Sequence, residues 1–405
     1  MAGTVNRVEG GTVTAARGFL AGATYAGLKT YAEDKLDLGL ILSEAPCTAA
    51  GVFTTSTIRS PSVTVSQEHI ARGPVRGLVV NAGIANTCVG EQGYTDAKEM
   101  ASLAARHLGV QPEEVLVCST GIIGVELPIS LIRTGLAEIG LSTDGGHALA
   151  RAMMTTDTRP KEFAVTFEVD GRQVHIGGVT KGSGMIHPNM ATMLAFVTTD
   201  AAVEPDFLKA TLREVADSSF NMLTVDGDSS TNDTLLVLAN GLADNRPIAA
   251  GSAGADIFKE AFSEVCVHLT KEMARDGEGA SRLIVVEVLG ARDTADARKA
   301  ARTVASSSLV KSAVYGADPN WGRVMMALGR SGAAAEETKV DLYINGVCIM
   351  QEGKPIPFHR DAVVALMRGP EVTFRLNLNL GEGEAIAWGC DLTEEYVIIN
   401  SAYST

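Results

Sequence analysis

Apolar and polar positions along the chain alternate between a helical period and a strand period. Gly77-Leu-Val-Val80 is a continuous apolar run ending at Asn81-Ala-Gly, which predicts a buried strand entering a loop. A helix is predicted next. Met100, Leu103, Ala104, His107 and Leu108 share one face, Asp96 and Glu99 stand at capping-box spacing, and Gly109 supplies a stop. Leu116-Val117-Cys118 reads as a short strand running into Ser119-Thr-Gly-Ile-Ile-Gly124, with Ser119-Thr120-Gly121 expected as a strand-to-loop turn. Further helices are predicted over 204–217, with Pro205 in the first turn, and over 256–275. In the second of these, Phe258, Phe262, Val265, Leu269 and Met273 repeat at helical spacing ahead of Gly277. Val372, Phe374, Leu376, Leu378 and Leu380 alternate with more polar residues, as in a half-buried, antiparallel strand. No repeat, heptad array or low-complexity linker appears, so the pattern predicts a mixed α/β chain without an obvious boundary.

Composition narrows the function class. The 405 residues are 46% hydrophobic and 20% charged, which fits a well-packed globular protein, and they suit one large domain or two intimately packed ones. The net charge of -14 argues against binding nucleic acid, because an acidic surface repels a phosphate backbone. The six cysteines form no C-x-x-C pair and the seven histidines no H-x-x-x-H pair, so no metal site is expected. The first 29 residues lack an uninterrupted apolar core and carry Glu9 early, and no run approaches the ~20 apolar residues that span a bilayer. The expectation is a cytoplasmic protein with no membrane partner.

Candidate chemistry concentrates in Gly177 to Asp200. Gly177, Gly178, Gly182 and Gly184 allow close approach of backbone to a ligand, and Lys181 lies among them. Met190-Ala-Thr then leads into the apolar run Met193 to Val197. A small residue followed by threonine at the mouth of a buried strand is what a self-processing N-terminal nucleophile needs. The Thr192 hydroxyl would attack the Ala191 carbonyl, and hydrolysis of the ester would leave an α-amine beside that hydroxyl. With a pKa of about 7.7–8.0 such an amine can act as general base near neutral pH. On spacing alone, the ordinary strand threonine is the favoured reading of Thr192, because short motif matches often arise by chance. Two other motifs fail. Asp226-Gly-Asp-Ser-Ser-Thr-Asn-Asp233 has Thr231 and Val237 where a calcium loop needs Gly and Glu, and reads as a loop or a helix cap. The glycines at 177–184 make neither a Walker nor a dinucleotide fingerprint.

The block Lys181-Gly-Ser-Gly-Met-Ile-His-Pro-Asn-Met-Ala-Thr-Met-Leu-Ala-Phe196 resembles the processing segment of the ornithine acetyltransferase/glutamate N-acetyltransferase (ArgJ) family of arginine biosynthesis. Met154-Thr-Thr-Asp-Thr-Arg-Pro-Lys161, Val225 to Asp233, Ala274 to Gly279, Gly316 to Arg323, Gly389 to Thr393 and Asn400 to Thr405 are similar to the family as well, so the resemblance covers nearly the whole chain. It implies self-cleavage between Ala191 and Thr192, giving an α chain (1–191) and a β chain (192–405) that stay associated as an α2β2 heterotetramer. It implies an αββα layered sandwich resembling N-terminal-nucleophile hydrolases. Thr192 would carry an acetyl group, Thr120 and Gly121 would form the oxyanion hole, and Thr155, Lys181, Thr192, Glu278, Asn400 and Thr405 would contact substrate. The implied reaction is ping-pong transfer of acetyl from N-acetylornithine to L-glutamate without a cofactor; some members also take acetyl-CoA as donor. Lys181 suits a carboxylate and Glu278 an ammonium group. Asn400 and Thr405 could serve only if the C-terminus folds back into the site. The alternative is an amidohydrolase or aminopeptidase on the related fold, with water as acceptor.

Overall fold

The computed structural model describes residues 4–29, 35–187 and 193–402. In chain order β1 (Asn6–Arg7), β2 (Phe19–Thr24), β3 (Leu38–Phe53), β4 (Val75–Ile84), β5 (Val115–Ile122), β6 (Lys161–Val169), β7 (Arg172–Lys181), β8 (Leu194–Thr199) and β9 (Thr234–Ala239) form one ladder. Its order is β1-β6-β7-β8-β9-β3-β4-β5, with β2 also on β3. A register shift between Leu42 and Cys47 divides β3: its first part pairs with β2 and β4, its last part with β9. The ladder therefore folds over on itself as two stacked layers.

Alternation along the strands shows the layers, since successive side chains point to opposite faces. Leu78, Val80, Leu116 and Cys118 pack with Val179, Phe196, Leu236 and Leu238, which is the interior between the two layers. Their neighbours Val79, Val115 and Val117 face outward against Val65, Met100 and Ile132. Those three belong to α1 (Pro61–Arg72), α2 (Gly90–Leu108) and α3 (Ile129–Ala137); α4 (Gly146–Met153) inserts Leu149 and Met153 into the interior. On the opposite outer face Ala195, Val197, Leu235 and Val237 pack with Leu208, Leu212, Phe262 and Val265, from α5 (Pro205–Ser218) and α6 (Ala255–Arg275). The arrangement is αββα.

A second sheet extends this sandwich. It comprises β10 (Leu283–Ala291), β11 (Asp341–Ile344), β12 (Val347–Gln351), β13 (Lys354–Pro355), β14 (Glu371–Asn377) and β15 (Gly383–Cys390), ordered β13-β12-β11-β14-β10-β15. The remaining helices are α7 (Thr294–Ala305), α8 (Ser308–Tyr315), α9 (Trp321–Gly329), α10 (Arg360–Met367) and α11 (Glu394–Ala402). Residues of α6, α7, α9, β10 and β14 share one core with the outer face of β8. A four-layer sandwich alone therefore understates the fold.

Several local expectations need correction. The strand expected to end at Val80 runs to Ile84, and Leu116–Cys118 belongs to a strand reaching Ile122. The parallel β4–β5 ladder continues through Asn81↔Ser119, Ala82↔Thr120 and Gly83↔Gly121. Ser119-Thr120-Gly121 is thus in-strand backbone rather than a turn. The helix begins at Gly90, so Asp96 is not its cap; it is buried and accepts from Gln92 Nε2 at 2.8 Å. Glu99 faces outward to Arg133. β14 is antiparallel to β11 but parallel to β10.

Candidate active site

The mouth of the site is the end of the central strands. Lys181, the last residue of β7, is the register partner of Leu194, the first of β8. Leu194 in turn pairs with Thr234 of β9, whose N–H donates to Met193 O at 2.9 Å. The chain leaves and re-enters the sheet at one point around residues 182–193. Every residue of β8 is buried, and each of its larger side chains contributes about 1.5–3 kcal/mol by leaving water, so this point is firmly anchored. Ala191, Thr192 and Thr405 lie outside the described residues.

Beside this point is a cavity of ≈110 Å³ whose lining includes Thr120, Gly121, Thr155, Lys181, Glu278 and Asn400. The structure thus brings together the six described residues that the sequence singles out, from segments 280 positions apart (400 minus 120). Thr120 and Gly121 come from the last turnless stretch of β5. Gly121 has φ +132°, and a Cβ there would lie 2.1 Å from the Gly83 carbonyl carbon, so only glycine fits. Asn232 clamps these strand ends, its Nδ2 donating to Ala85 O and Ser119 O at 2.7 Å each.

Lys181 is 6% exposed and its Nζ donates to Thr120 Oγ1 at 3.2 Å. Burial pushes its ammonium below the ordinary lysine value, and the Lys161 charge adds to this, while the Asp157, Asp233 and Glu278 carboxylates oppose it. Glu278 is 9% exposed, follows the end of α6, and is held by its N–H donating to Ser183 O at 2.8 Å. Asn400 Nδ2 donates to Glu278 Oε2 at 2.7 Å. This contact brings α11 back over the cavity, although none of its residues is buried.

Two groups, Asp157 and Asp276, escaped the reading of the sequence. Asp157 accepts from Thr155 N at 3.0 Å, Gly182 N at 2.7 Å and Lys161 Nζ at 2.5 Å. Asp276 accepts from Lys161 Nζ at 2.6 Å and Thr158 N at 3.0 Å. Gly184, already named among the glycines that let backbone approach a ligand, lines the cavity too. All stand inside segments already noted for their motifs, which was the available signal. Asp226 takes the loop role expected of its segment, accepting from Met185 N at 2.6 Å and Ile186 N at 2.8 Å. His187 bonds Thr224 Oγ1 through Nδ1 at 3.1 Å and does not line the cavity. Among the described residues no cluster of His, Cys, Asp or Glu could hold a metal ion, and no helix is long and apolar enough to cross a membrane.

A buried ammonium, a carboxylate and hydroxyl and amide donors on one small cavity suit a ligand with charge at both ends and a polar centre. The ArgJ family model matches residues 20–405. The chain is 49% identical over 405 residues to the arginine biosynthesis bifunctional protein ArgJ of Dehalococcoides mccartyi, covering 100% of both chains. It is 52% identical over 397 residues to the protein of the same name from Symbiobacterium thermophilum, covering 98% of this chain and 99% of that one. A solved structure of arginine biosynthesis bifunctional protein argJ from Bacillus halodurans is 41% identical with a TM-score of 0.51, covering 51% of this chain and 98% of that chain. This chain belongs to the ArgJ family.

Proposed function

We propose that the protein is a glutamate N-acetyltransferase of arginine biosynthesis, moving acetyl from N-acetylornithine to L-glutamate through an acetyl-threonine on Thr192. The observation that carries this reading is the convergence of Thr120, Gly121, Thr155, Lys181, Glu278 and Asn400 on one cavity beside the start of β8. Family membership and the relatives' role in arginine biosynthesis support it.

The chemistry then follows from these residues. Lys181 pairs with the substrate α-carboxylate and Glu278 with the side-chain ammonium, so the acetyl carbonyl is presented between them. Thr192 Oγ attacks that carbonyl while its own free α-amine takes the proton. Gly121 N–H and the Thr120 hydroxyl stabilise the oxyanion. Because Thr120 Oγ1 already accepts from Lys181 Nζ, its own proton is left to point elsewhere, toward the acetyl oxygen. Ornithine leaves as the C–N bond breaks, taking the proton from the amine. Glutamate, sharing the same carboxylate and Cα framework, enters and takes the acetyl group.

The nucleophile requires cleavage between Ala191 and Thr192 into chains 1–191 and 192–405. These would remain together, since β8 and β9 lie between β7 and β3 in one sheet. The solved relative, a chain matching about half of this one over nearly its own full length, is in keeping with such a split. The assembly proposed is α2β2, and acetyl-CoA is proposed as a second donor to the same threonine. Mass spectrometry before and after brief exposure to acetylornithine tests the proposal: a fragment starting at residue 192 is expected, then an acetyl adduct on it. An intact, active chain would refute the nucleophile. Free acetate formed in place of acetylglutamate would identify a hydrolase.

A further inference from the structure

One buried chain of charges touches each of the segments that carry Thr155, Lys181 and Glu278. Asp157 Oδ2 accepts from Thr155 N, and its Oδ1 accepts from Gly182 N, the residue after Lys181. Oδ1 also accepts from Lys161 Nζ, which reaches on to Asp276 Oδ2 at 2.6 Å. Asp276 receives the Thr158 N–H and hydroxyl and stands two residues before Glu278. The side chains of Asp157 and Lys161 are fully buried and that of Asp276 is 4% exposed. Taking such charges out of water costs several kcal/mol each, and apolar replacements of similar volume often give a more stable fold. Stability alone is therefore a poor reason for this network, and its geometry supplies a better one.

We infer that Asp157 is a positioning residue. Through Lys161 and Asp276 it fixes the Thr155, Lys181 and Glu278 segments relative to one another, and it supplies the counter-charge that the Lys181 ammonium needs to receive a substrate carboxylate. This rests on the reading of the cavity as an amino-acid site. Five charged groups act on Lys181 from the elements around it: Lys29, Lys161, Asp157, Asp233 and Glu278. With Asp157 neutralised, two cations face two carboxylates, and a bound substrate's ammonium would occupy one of those carboxylates, Glu278. Lys181 would then lose its proton at lower pH than in the native protein.

The test is the full-length Asp157→Asn variant, titrated beside wild type with L-ornithine by calorimetry from pH 6 to 9.5. Lys161 keeps Asp276 in this variant, so no buried cation is orphaned. We expect the variant's Kd at pH 7 to rise about ten-fold or more, with the gap to wild type widening as pH rises and narrowing toward pH 6. Ornithine's own titration is common to both proteins and cancels in the ratio. Loosening of the fold alone would give a ratio independent of pH, and that result overturns the inference. Asp276→Asn is the second variant, expected to shift in the same direction by less. Loss of fold in both, seen by circular dichroism, would mark the network as purely structural and also overturn it. Failure of wild type to bind ornithine would sink the amino-acid reading of the cavity instead.

Discussion

Gly184→Ala separates the site from the scaffold. A Cβ built at Gly184 lies 2.3 Å from Glu278 Oε1 and Cδ and 2.4 Å from Oε2, against an ordinary contact of at least 3.4 Å. Relief requires the carboxylate to retreat by about 1 Å, the difference between those distances. The atoms met are the far end of a flexible side chain and not backbone, so the retreat costs little stability. Its functional cost is larger. Glu278 would leave the position in which Asn400 Nδ2 reaches it at 2.7 Å, and with it the place proposed for a substrate ammonium. Misplacement by about 1 Å can cost on the order of 10²-fold in rate. We therefore expect kcat/KM for acetylornithine to fall roughly 10- to 100-fold, chiefly through KM. The melting temperature should move by no more than about 1 °C, since ~0.5 kcal/mol against an unfolding entropy of about 2.1 cal/mol/K per residue shifts a protein of this size by roughly 0.6 °C. Steady-state kinetics and a thermal melt decide it. An unchanged KM, or a large loss of melting temperature with normal KM, would refute the assignment of Glu278 to substrate.

Gly121→Ala should behave in the opposite way, because its Cβ meets Gly83 backbone at 2.1 Å and φ is +132°. We expect destabilisation of about 2 kcal/mol or more, read from a denaturant midpoint, together with loss of kcat. Asn400→Ala removes the tether between α11 and Glu278; since α11 buries none of its residues, KM should rise several-fold while the thermal melt stays within error. Acid stability supplies a further check. Burial pushes the Asp157 carboxyl up, but the Lys161 and Lys181 charges and the Gly182 N–H outweigh it and bring it to about 2 from 3.8. A depressed carboxyl stabilises above its unfolded value, so about 2 kcal/mol should be lost as pH falls from about 4 through 2. Asp157→Asn should flatten that limb in urea titrations; an identical acid limb in wild type and variant would contradict the assignment.

What the sequence displayed, and what it hid, follows from the range of the interactions involved. β8 was legible because an apolar run from Met193 to Val197 can be satisfied only by burial on both faces, as its central position between β7 and β9 provides. α6 was legible because Phe258, Phe262, Val265 and Leu269 need one continuous apolar wall. Ser119-Thr120-Gly121 looked like a loop since small polar residues favour turns locally. In the fold Ser119 Oγ instead meets Ser62 Oγ at 2.9 Å, and Asn232, 113 residues away, takes its carbonyl. Asp96 misled for a related reason: an acidic residue ahead of an apolar face resembles a cap, but Gly90 to Thr95 are already helical. The charged network was hidden most completely. Asp157 and Lys161 stand at the spacing of a helical ion pair, yet they bridge a turn and the start of β6, and the second acid is 115 residues further on. Charge pairing between distant segments has no period along a chain, so no local pattern can announce it. Motif blocks at 154–161, 181–196 and 274–279 marked where the segments lie, and only the fold shows that Asp157, Lys161 and Asp276 join them. A cavity assembled this way can be altered by substitutions that never touch substrate, which is why a change at Asp157 should be read in the pH dependence of binding before it is read in rate.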